Sequence, residues 1–336
     1  MVYSFELIKH ANIRYREAVL RIARCELDTM LRKLSIFSDL HEERLGGSVF
    51  LTFDCRELSA EEILYLSGHS SVAFMAENQK GLLRPLTVRY TGYLPEDLPE
   101  VLKYKGKTSA SFTRMMINTA LALTPFSQSA EDLVFFDPVC GKGTGCFCAV
   151  TAGISAVGID CDQRSVEEAA KYFSNYLQYH KLKHRISTRS ETIHSHPVPV
   201  TEFTFSDTKE HFLSGRTRSL SLCPADTLDS PVLFRHRKAH LIAADLPYGI
   251  QHAPRASGKP VPLHQFLRDA LPVWKKVLLP GGTIAVSFNT LTLPTPDVLS
   301  ALKDAGFIPE HGGNFSNLKH EVEHAVVRDV IFAVNP

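Results

Sequence analysis

Two short stretches of the chain combine residue types that can do chemistry. The first is Asp137-Pro138-Val139-Cys140-Gly141-Lys142-Gly143-Thr144-Gly145, an acid set before a glycine-rich turn. The second is Asp245-Leu246-Pro247-Tyr248, an acid and a main-chain carbonyl followed by a turn-fixing proline and an aromatic ring. Ahead of the first stretch, the apolar run Leu133–Phe136 reads as a buried strand. Behind it, Cys146–Val150 reads as the first turns of a helix. A strand, a glycine-rich turn and a helix open a nucleotide-type site in a doubly wound sheet. Glycines let the backbone pass close to a ligand, and the helix N-terminus offers N–H groups to an anion. A phosphate-binding loop needs G-x-x-x-x-G-K-[ST], and the order Gly141-Lys142-Gly143-Thr144 does not supply it. A dinucleotide fingerprint needs a third glycine that is absent here.

The remaining nucleotide is S-adenosylmethionine, whose carboxylate and amino groups suit such a turn, with Asp137 facing the ammonium. The stretch resembles the D-P-x-C-G-x-G-T motif of RNA and DNA amino-methyltransferases, especially the THUMP-linked tRNA guanine-N2 methyltransferase family. Lys142 stands where that motif usually has a small hydroxyl residue. The resemblance implies a cofactor site at Asp137, Pro138, Cys140, Gly141, Gly143 and Thr144. It also implies that Asp226 accepts from the adenine amino group. Asp160 lies about twenty residues beyond the glycines, where a carboxylate can hold ribose hydroxyls. Its two oxygens match the two hydroxyls of a cis diol. Asp162 reads as a cap for the helix that follows. An ordinary strand-turn-helix, with glycines for geometry alone, is the bland alternative.

The second stretch resembles the [ND]-[LP]-P-[YF] motif of enzymes that methylate a planar exocyclic nitrogen. The lone pair of such an amine is delocalised into the ring, so it is a poor nucleophile. The Asp245 side chain and the Leu246 carbonyl can each accept one N–H and aim the lone pair at a sulfonium methyl. Pro247 fixes the turn, and Tyr248 offers a stacking surface worth ~1–3 kcal/mol per base. The base must be unstacked to enter. Catalysis is then mostly positioning, which can supply ~7–11 kcal/mol, and Asp245 takes the proton after attack. A chance strand end with a proline turn is the competing explanation. Gly249, Gln251 and His252 follow at the substrate mouth, and Asn289 and Gly312–Phe315 lie at other strand ends.

The rest of the chain must position these groups. The 336 residues allow a large core and two domains. Hydrophobic content of 44% and charged content of 22% are ordinary for a globular protein. A formal charge of +1 means that any nucleic-acid surface is local. The seven cysteines include no C-x-x-C pair, so neither a zinc ribbon nor a disulfide frame is indicated. Cys140, Cys146, Cys148 and Cys161 would cluster near the first turn and read as small buried apolar residues in a reducing compartment. The N-terminus lacks a signal-peptide pattern and no apolar run has membrane-spanning length, so a cytoplasmic location without membrane contact is expected.

Residues 1–92 read as a small α+β unit, with strands at Ser4–Ile8, Ser48–Phe53, Val72–Ala76 and Leu86–Tyr90. A helix is expected over Arg14–Leu34, and a second one follows the Ser59/Glu62 capping box. The order resembles the amino-terminal unit of THUMP-linked methyltransferases, though it is too short for that unit plus a full THUMP domain. Residues 93–126 read as a linker and a helix from Ser109. Lys103, Lys105, Lys107 and Arg114 there either meet phosphate or are solvated. Residues 127–336 alternate strands and helices, which implies a parallel sheet with right-handed crossovers. An antiparallel end is expected from Phe307–Pro309 and Ala325–Val334. Residues 181–217 read as an insertion, with a hairpin as one form. Its Lys183, Arg185, Arg189, Lys209, Arg216 and Arg218 either reach a polyanion or are solvated.

The resulting expectation is an α/β, doubly wound (Rossmann-like) class I methyltransferase sheet with a small α+β N-terminal domain. It would methylate an exocyclic nucleobase amine, with guanine N2 of tRNA or another structured RNA foremost. Adenine N6 or cytosine N4 of DNA or RNA, and a non-catalytic cofactor- or RNA-binding module, are the alternatives.

Overall fold

The computed structural model describes residues 1–9, 13–87, 90–102, 104, 107–126, 132–247, 255–256, 259–323 and 325–336. The chain opens with β1 (Val2–Leu7), α1 (Ile13–Lys33), β2 (His41–Leu45), β3 (Ser48–Asp54), α2 (Ala60–Ser67), β4 (Val72–Gln79) and β5 (Leu82–Pro85). The five strands form an antiparallel sheet in the order β2-β3-β1-β4-β5. Gly46 and Gly47, with φ of 57° and 85°, make the two-residue turn between β2 and β3. Both φ values are positive, as a hairpin turn that matches strand twist requires. Ser59 caps α2 through the amide of Glu62, whose side chain returns to the Ser59 amide. The last strand is Leu82–Pro85, not Leu86–Tyr90: Lys80 and Gly81 turn the chain earlier, and residues 88–89 lie outside the described residues. β2 carries no apolar alternation because it is a charged edge strand, a device that blocks further pairing.

The second part begins with α3 (Leu98–Val101) and α4 (Ala110–Leu123) and continues β6 (Val134–Asp137), α5 (Thr144–Thr151), β7 (Ser155–Asp160) and α6 (Gln163–Tyr179). Next come β8 (His184–Ile193), β9 (His196–Phe205), α7 (Lys209–Leu213), β10 (Arg218–Pro224), α8 (Ser230–Leu233) and β11 (Ala239–Asp245). The chain ends with β12 (Arg255–Ala256), β13 (Lys259–Pro260), α9 (Leu263–Val277), β14 (Leu278–Asn289), α10 (Thr295–Asp304), β15 (Ile308–Pro309), β16 (His320–Glu323) and β17 (Val326–Val334).

The large sheet runs β15-β17-β14-β11-β6-β7-β10-β9-β8, with β16 on β17. Strands β10, β7, β6, β11 and β14 are parallel, and β17 returns antiparallel beside β14. One face is covered by α4, α5 and α6, whose Phe112, Phe147 and Phe173 join Phe135 and Phe332 in a single core. The other is covered by α9 and α10, where Trp274 and Leu302 pack on Phe136 and Phe288. This is a doubly wound α/β fold whose parallel sheet closes with an antiparallel strand, with a small antiparallel unit ahead of it. The central strands read as unbroken apolar runs because both faces are covered. Within residues 181–217, β8 and β9 form a hairpin that extends the sheet past β10. His194 and Ser195 turn it, with φ of 48° and 67°. β8 escapes sequence reading because its residues are mostly polar and exposed. No helix among the described residues is long and apolar enough to cross a membrane.

Helix α1 is shared between the two sheets. Ala23, Leu27, Met30 and Leu31 pack with Tyr3, Phe5 and Phe53, while Ile22 and Cys25 join the core beneath α4. At the junction sits the buried carboxylate of Glu26. One oxygen accepts from the Ser70 amide at 2.8 Å and from Asn118 Nδ2 of α4 at 2.7 Å. The other accepts from Ser70 Oγ at 2.5 Å. Replacement by Ala strands buried donors, each costing about 1–3 kcal/mol. Glu26→Ala is therefore expected to lower stability by more than about 2 kcal/mol in urea denaturation, with Glu26→Gln closer to the parent. An unchanged midpoint in Glu26→Ala would contradict this role.

Candidate active site

Asp137 ends β6 and points to the face covered by α4 and α5. It is buried, and one of its oxygens accepts from the Val139 amide at 3.3 Å. Burial pushes its carboxyl well above the usual carboxylate range, reinforced by the charges of Asp160 and Asp245. The turn after it needs glycine at specific points. A Cβ on Gly145 would sit 2.2 Å from Asp137 Oδ2, so the acid lies directly against the first turn of α5. At Gly143, φ is 88° and a Cβ would meet the Phe147 ring at 2.9 Å. Gly141 has φ of 49° and open space where its Cβ would be. The turn is thus closed beneath and open above.

Pro138 and Cys140 are buried in the turn. Cys140 and Cys146 bring their thiols to Gly158 of β7, where a Cβ would meet them at 3.0 and 2.8 Å. Burial raises both thiols well above the ordinary range, so they act as packing groups. Cys161, expected to be buried with them, is exposed. Thr144 Oγ1 lies 2.9 Å from the Tyr104 hydroxyl. Lys142 reaches sideways, 2.5 Å from Glu168 of α6 and 5.3 Å from the centre of the Tyr104 ring.

Asp160 ends β7, and its Oδ2 accepts from the Gly141 amide at 2.8 Å while Oδ1 accepts from the Asp162 amide at 2.9 Å. Main-chain donors thus orient both of its oxygens. Asp162 caps α6 through the Arg164 amide, as its position implied. Asp226 follows β10 and accepts from the Leu228 amide at 3.0 Å. Asp137, Asp160 and Asp226 therefore lie at the carboxyl ends of β6, β7 and β10, which adjoin in the sheet.

Asp245 ends β11, the neighbour of β6 on the other side. The register pairs Leu241 with Phe135 and Ile242 with Phe136, so Asp245 stands two residues further out than Asp137 and on the same face. One oxygen accepts from Ser287 Oγ at 2.7 Å, and the other from the Thr108 hydroxyl. Leu246 is buried and its amide donates to Ser287 O at 2.9 Å, which fixes where the peptide after Asp245 points. Pro247 is half-buried. Tyr248, Gly249, Gln251 and His252 lie outside the described residues. The two stretches singled out in the sequence thus share one sheet edge, with Tyr104 and Thr108 beside them. Tyr104, Thr108 and Ser287 carry no motif, and only their hydroxyl chemistry could have drawn attention to them.

Several other candidates have structural occupations. Lys107 donates to the carbonyls of Pro99 and Glu100, and Arg114 to that of Glu96, so both staple the linker. Lys103 and Lys105 lie outside the described residues. In the hairpin region, Arg218 is buried on the Tyr93 ring and bonded to Gly153 O, while Arg189 pairs with Glu202. Lys183, Arg185, Lys209 and Arg216 are exposed. Asn289 ties the end of β14 to the start of β17 through Ala325 O and the Val327 amide. Gly312–Phe315 line a cavity of about 510 Å³ at the far end of α4 from Thr108. Its cations are engaged: Arg32 with Asp28, and Lys33 with the Thr124 and Phe126 carbonyls.

No family profile and no curated protein matches the chain. Among solved structures it is similar to TrmN from Thermus thermophilus, at 16% identity and a TM-score of 0.40, over 89% of this chain and 60% of that one. It is also similar to the rRNA methyltransferase AviRa from Streptomyces viridochromogenes, at 14% identity and a TM-score of 0.41, over 72% of this chain and 91% of that one. A third is the precorrin-6y C5,15-methyltransferase from Geobacter metallireducens, at 13% identity and a TM-score of 0.38, over 70% and 93%. The chain thus spans 60% of the length of TrmN. Likenesses of this strength carry no argument about ligand or substrate.

The contact between Asp137 and Gly145 is directly testable. Gly145→Ala forces the carboxylate aside and is expected to cost about 1–3 kcal/mol, the usual range for overpacking. Most of that loss should vanish when Asp137→Ala accompanies it, in a double-mutant cycle by chemical denaturation. Additive losses would contradict the contact.

Proposed function

We propose that the protein transfers a methyl group from S-adenosylmethionine to an exocyclic amino nitrogen of a nucleobase, with guanine N2 in tRNA the foremost substrate. The observation that carries this reading is the pair of acids Asp137 and Asp245 on adjacent parallel strands, facing the same way at one sheet edge. Ligands of open α/β sheets bind outside that edge. When bound, the cofactor supplies an electrophilic methyl on a positively charged sulfur.

The chain's own residues fit it. The turn at Gly141 is open, and Asp137 is a buried acid that a ligand ammonium would return to its charged form. Asp160, oriented by the Gly141 and Asp162 amides, stands at its strand end for the ribose hydroxyls, and Asp226 at the next strand end for the adenine amine. On the substrate side, hydroxyls from Thr108 and Ser287 fix both oxygens of Asp245. The carboxylate and the Leu246 carbonyl then accept the two amine hydrogens, which leaves the nitrogen lone pair directed out of the base plane. Asp245 receives the proton released on transfer. Residues 1–92 act in this reading as a cover docked through α1 or as an RNA contact, and residues 127–336 as the catalytic domain.

Incubation with labelled methyl donor and unmodified tRNA, followed by nucleoside mass spectrometry, is expected to yield N2-methylguanosine. N6-methyladenosine or N4-methylcytidine would move the target base, and a labelled protein would overturn the reading. Asp245→Ala should cut the transfer rate at least about 100-fold, as loss of a positioning and electrostatic group does, with cofactor affinity within twofold of the parent's. The raised carboxyl of Asp137 gives a second prediction. Below its folded-state value the acid is protonated, so cofactor binding there releases a proton and tightens as pH rises. Calorimetry in buffers of different ionisation heat should detect that proton in the parent and not in Asp137→Asn.

A further inference from the structure

Where the hairpin extends the large sheet, the two faces differ. Across β8, β9 and β10 the register aligns Arg185 with Thr204 and Ser219, and Ser187 with Glu202 and Ser221. Residues opposed in this way share a face. On the other face Phe203, Phe205, Leu220 and Leu222 pack with Phe173 and Leu177 of α6. The alternation Ser219-Leu220-Ser221-Leu222 records the difference, since a strand packed on both faces is apolar throughout. The connection from α8 to β11, Arg235-His236-Arg237-Lys238, meets the polar face. Arg237 donates to Ser221 Oγ at 3.2 Å and to Ser219 Oγ at 3.5 Å, and Arg235 comes within 3.9 Å of Glu191.

The charges here do not cancel. Arg189 pairs with Glu202 at 2.9 Å and also with Glu191, so it occupies both acids of the face. The hydroxyls on Arg237 leave its charge uncompensated. Burial lowers its guanidinium from the ordinary arginine value, Glu202 offsets part of that, and the neighbouring Arg189 adds to it. Arg185 is exposed and has no ion-pair partner among the described residues. Arg235, His236 and Lys238 are exposed as well. A chain of formal charge +1 thus gathers a local positive excess at one end of its sheet.

A polyanion fits such a face. Guanidinium forks match the paired oxygens of a phosphate. A protein partner would need an apolar centre to its interface, and these rows hold Arg, Ser, Thr and Glu. The place of the face adds a length. β8 lies five strands along the sheet from β11, about 24 Å at the usual strand spacing. One nucleotide held at Asp245 does not reach that far, whereas the backbone of a folded RNA does, and folded RNA is recognised mostly through its shape and phosphates.

We propose that the β8–β9 hairpin and the Arg235–Lys238 connection form a docking surface for the phosphate backbone of a folded RNA, with Arg185, Arg235 and Arg237 as its contacts. This rests on the nucleobase-methylation reading above and gives that reading an RNA-binding surface outside both motifs.

The test is binding of an unmodified tRNA transcript to the full-length protein, followed by fluorescence anisotropy over a series of salt concentrations. Arg185→Gln with Arg235→Gln changes two exposed side chains and leaves the buried Arg237 in place. The pair is expected to weaken binding about tenfold or more near physiological salt and to flatten the salt slope by about 1 to 2, since each lost phosphate contact removes about 0.7–0.9. Arg268→Gln with Lys303→Gln, an equal loss of exposed charge on α9 and α10, should leave affinity within twofold. Equal losses in the two pairs would reduce the effect to overall charge and overturn the surface. Unchanged affinity in Arg185→Gln/Arg235→Gln would also overturn it, while methyl transfer to tRNA by the parent would keep the catalytic reading standing. Displacement of the tRNA by polyglutamate at equal charge concentration would make the face a dock for acidic protein and overturn it as well. Weakened binding in the pair, with no methyl transfer to any RNA by the parent, would support the surface and remove the catalytic reading alone.

Discussion

The rest of the site depends on how one carboxylate is held. Asp245 leaves its strand at the rim of a parallel sheet, where nothing in the ladder fixes a side chain. Two hydroxyls from different elements fix it instead: Ser287 from the neighbouring strand and Thr108 from the segment leading into α4. Hydrogen bonds to a charged group contribute about 1.5–3 kcal/mol each, enough to hold one rotamer. Under the proposed function, an amine bound at that carboxylate would be oriented before any chemistry begins.

That constraint explains why the amino-terminal unit is built in as it is. Thr108 is only as well placed as α4, and α4 is anchored at its middle by Asn118 on Glu26 of α1. The same helix α1 donates from Arg21 to the carbonyls of Asn317 and Lys319, beside His320. The amino-terminal unit therefore backs both α4, which follows Thr108, and the segment that leads into β16.

Much of this was legible in the chain because the parallel strands and the glycine turn are local signals. Leu133–Phe136 is apolar throughout since both of its faces are covered, and Gly145 is glycine since Asp137 occupies the space of its Cβ. The strand-end acids Asp137, Asp160, Asp226 and Asp245 each follow an apolar run and so are legible in chain order. What stayed hidden was non-local. β2 and β8 are polar edge strands, so no alternation marks them. Thr108 and Ser287 are far apart in sequence and meet only at the Asp245 carboxylate. The basic residues misled for a related reason: Arg218 and Lys107 look like surface charges but hold backbone carbonyls.

The central claim is spatial: one sheet edge holds the methyl donor over the Gly141–Gly145 turn and the acceptor amine at Asp245. The most direct measurement is a crystal structure with a non-reactive S-adenosylmethionine analogue bound. The account expects the amino-acid end against Asp137, the ribose on Asp160, and the methyl-bearing position turned toward Asp245. An analogue bound elsewhere, or with that position turned away from Asp245, would contradict it.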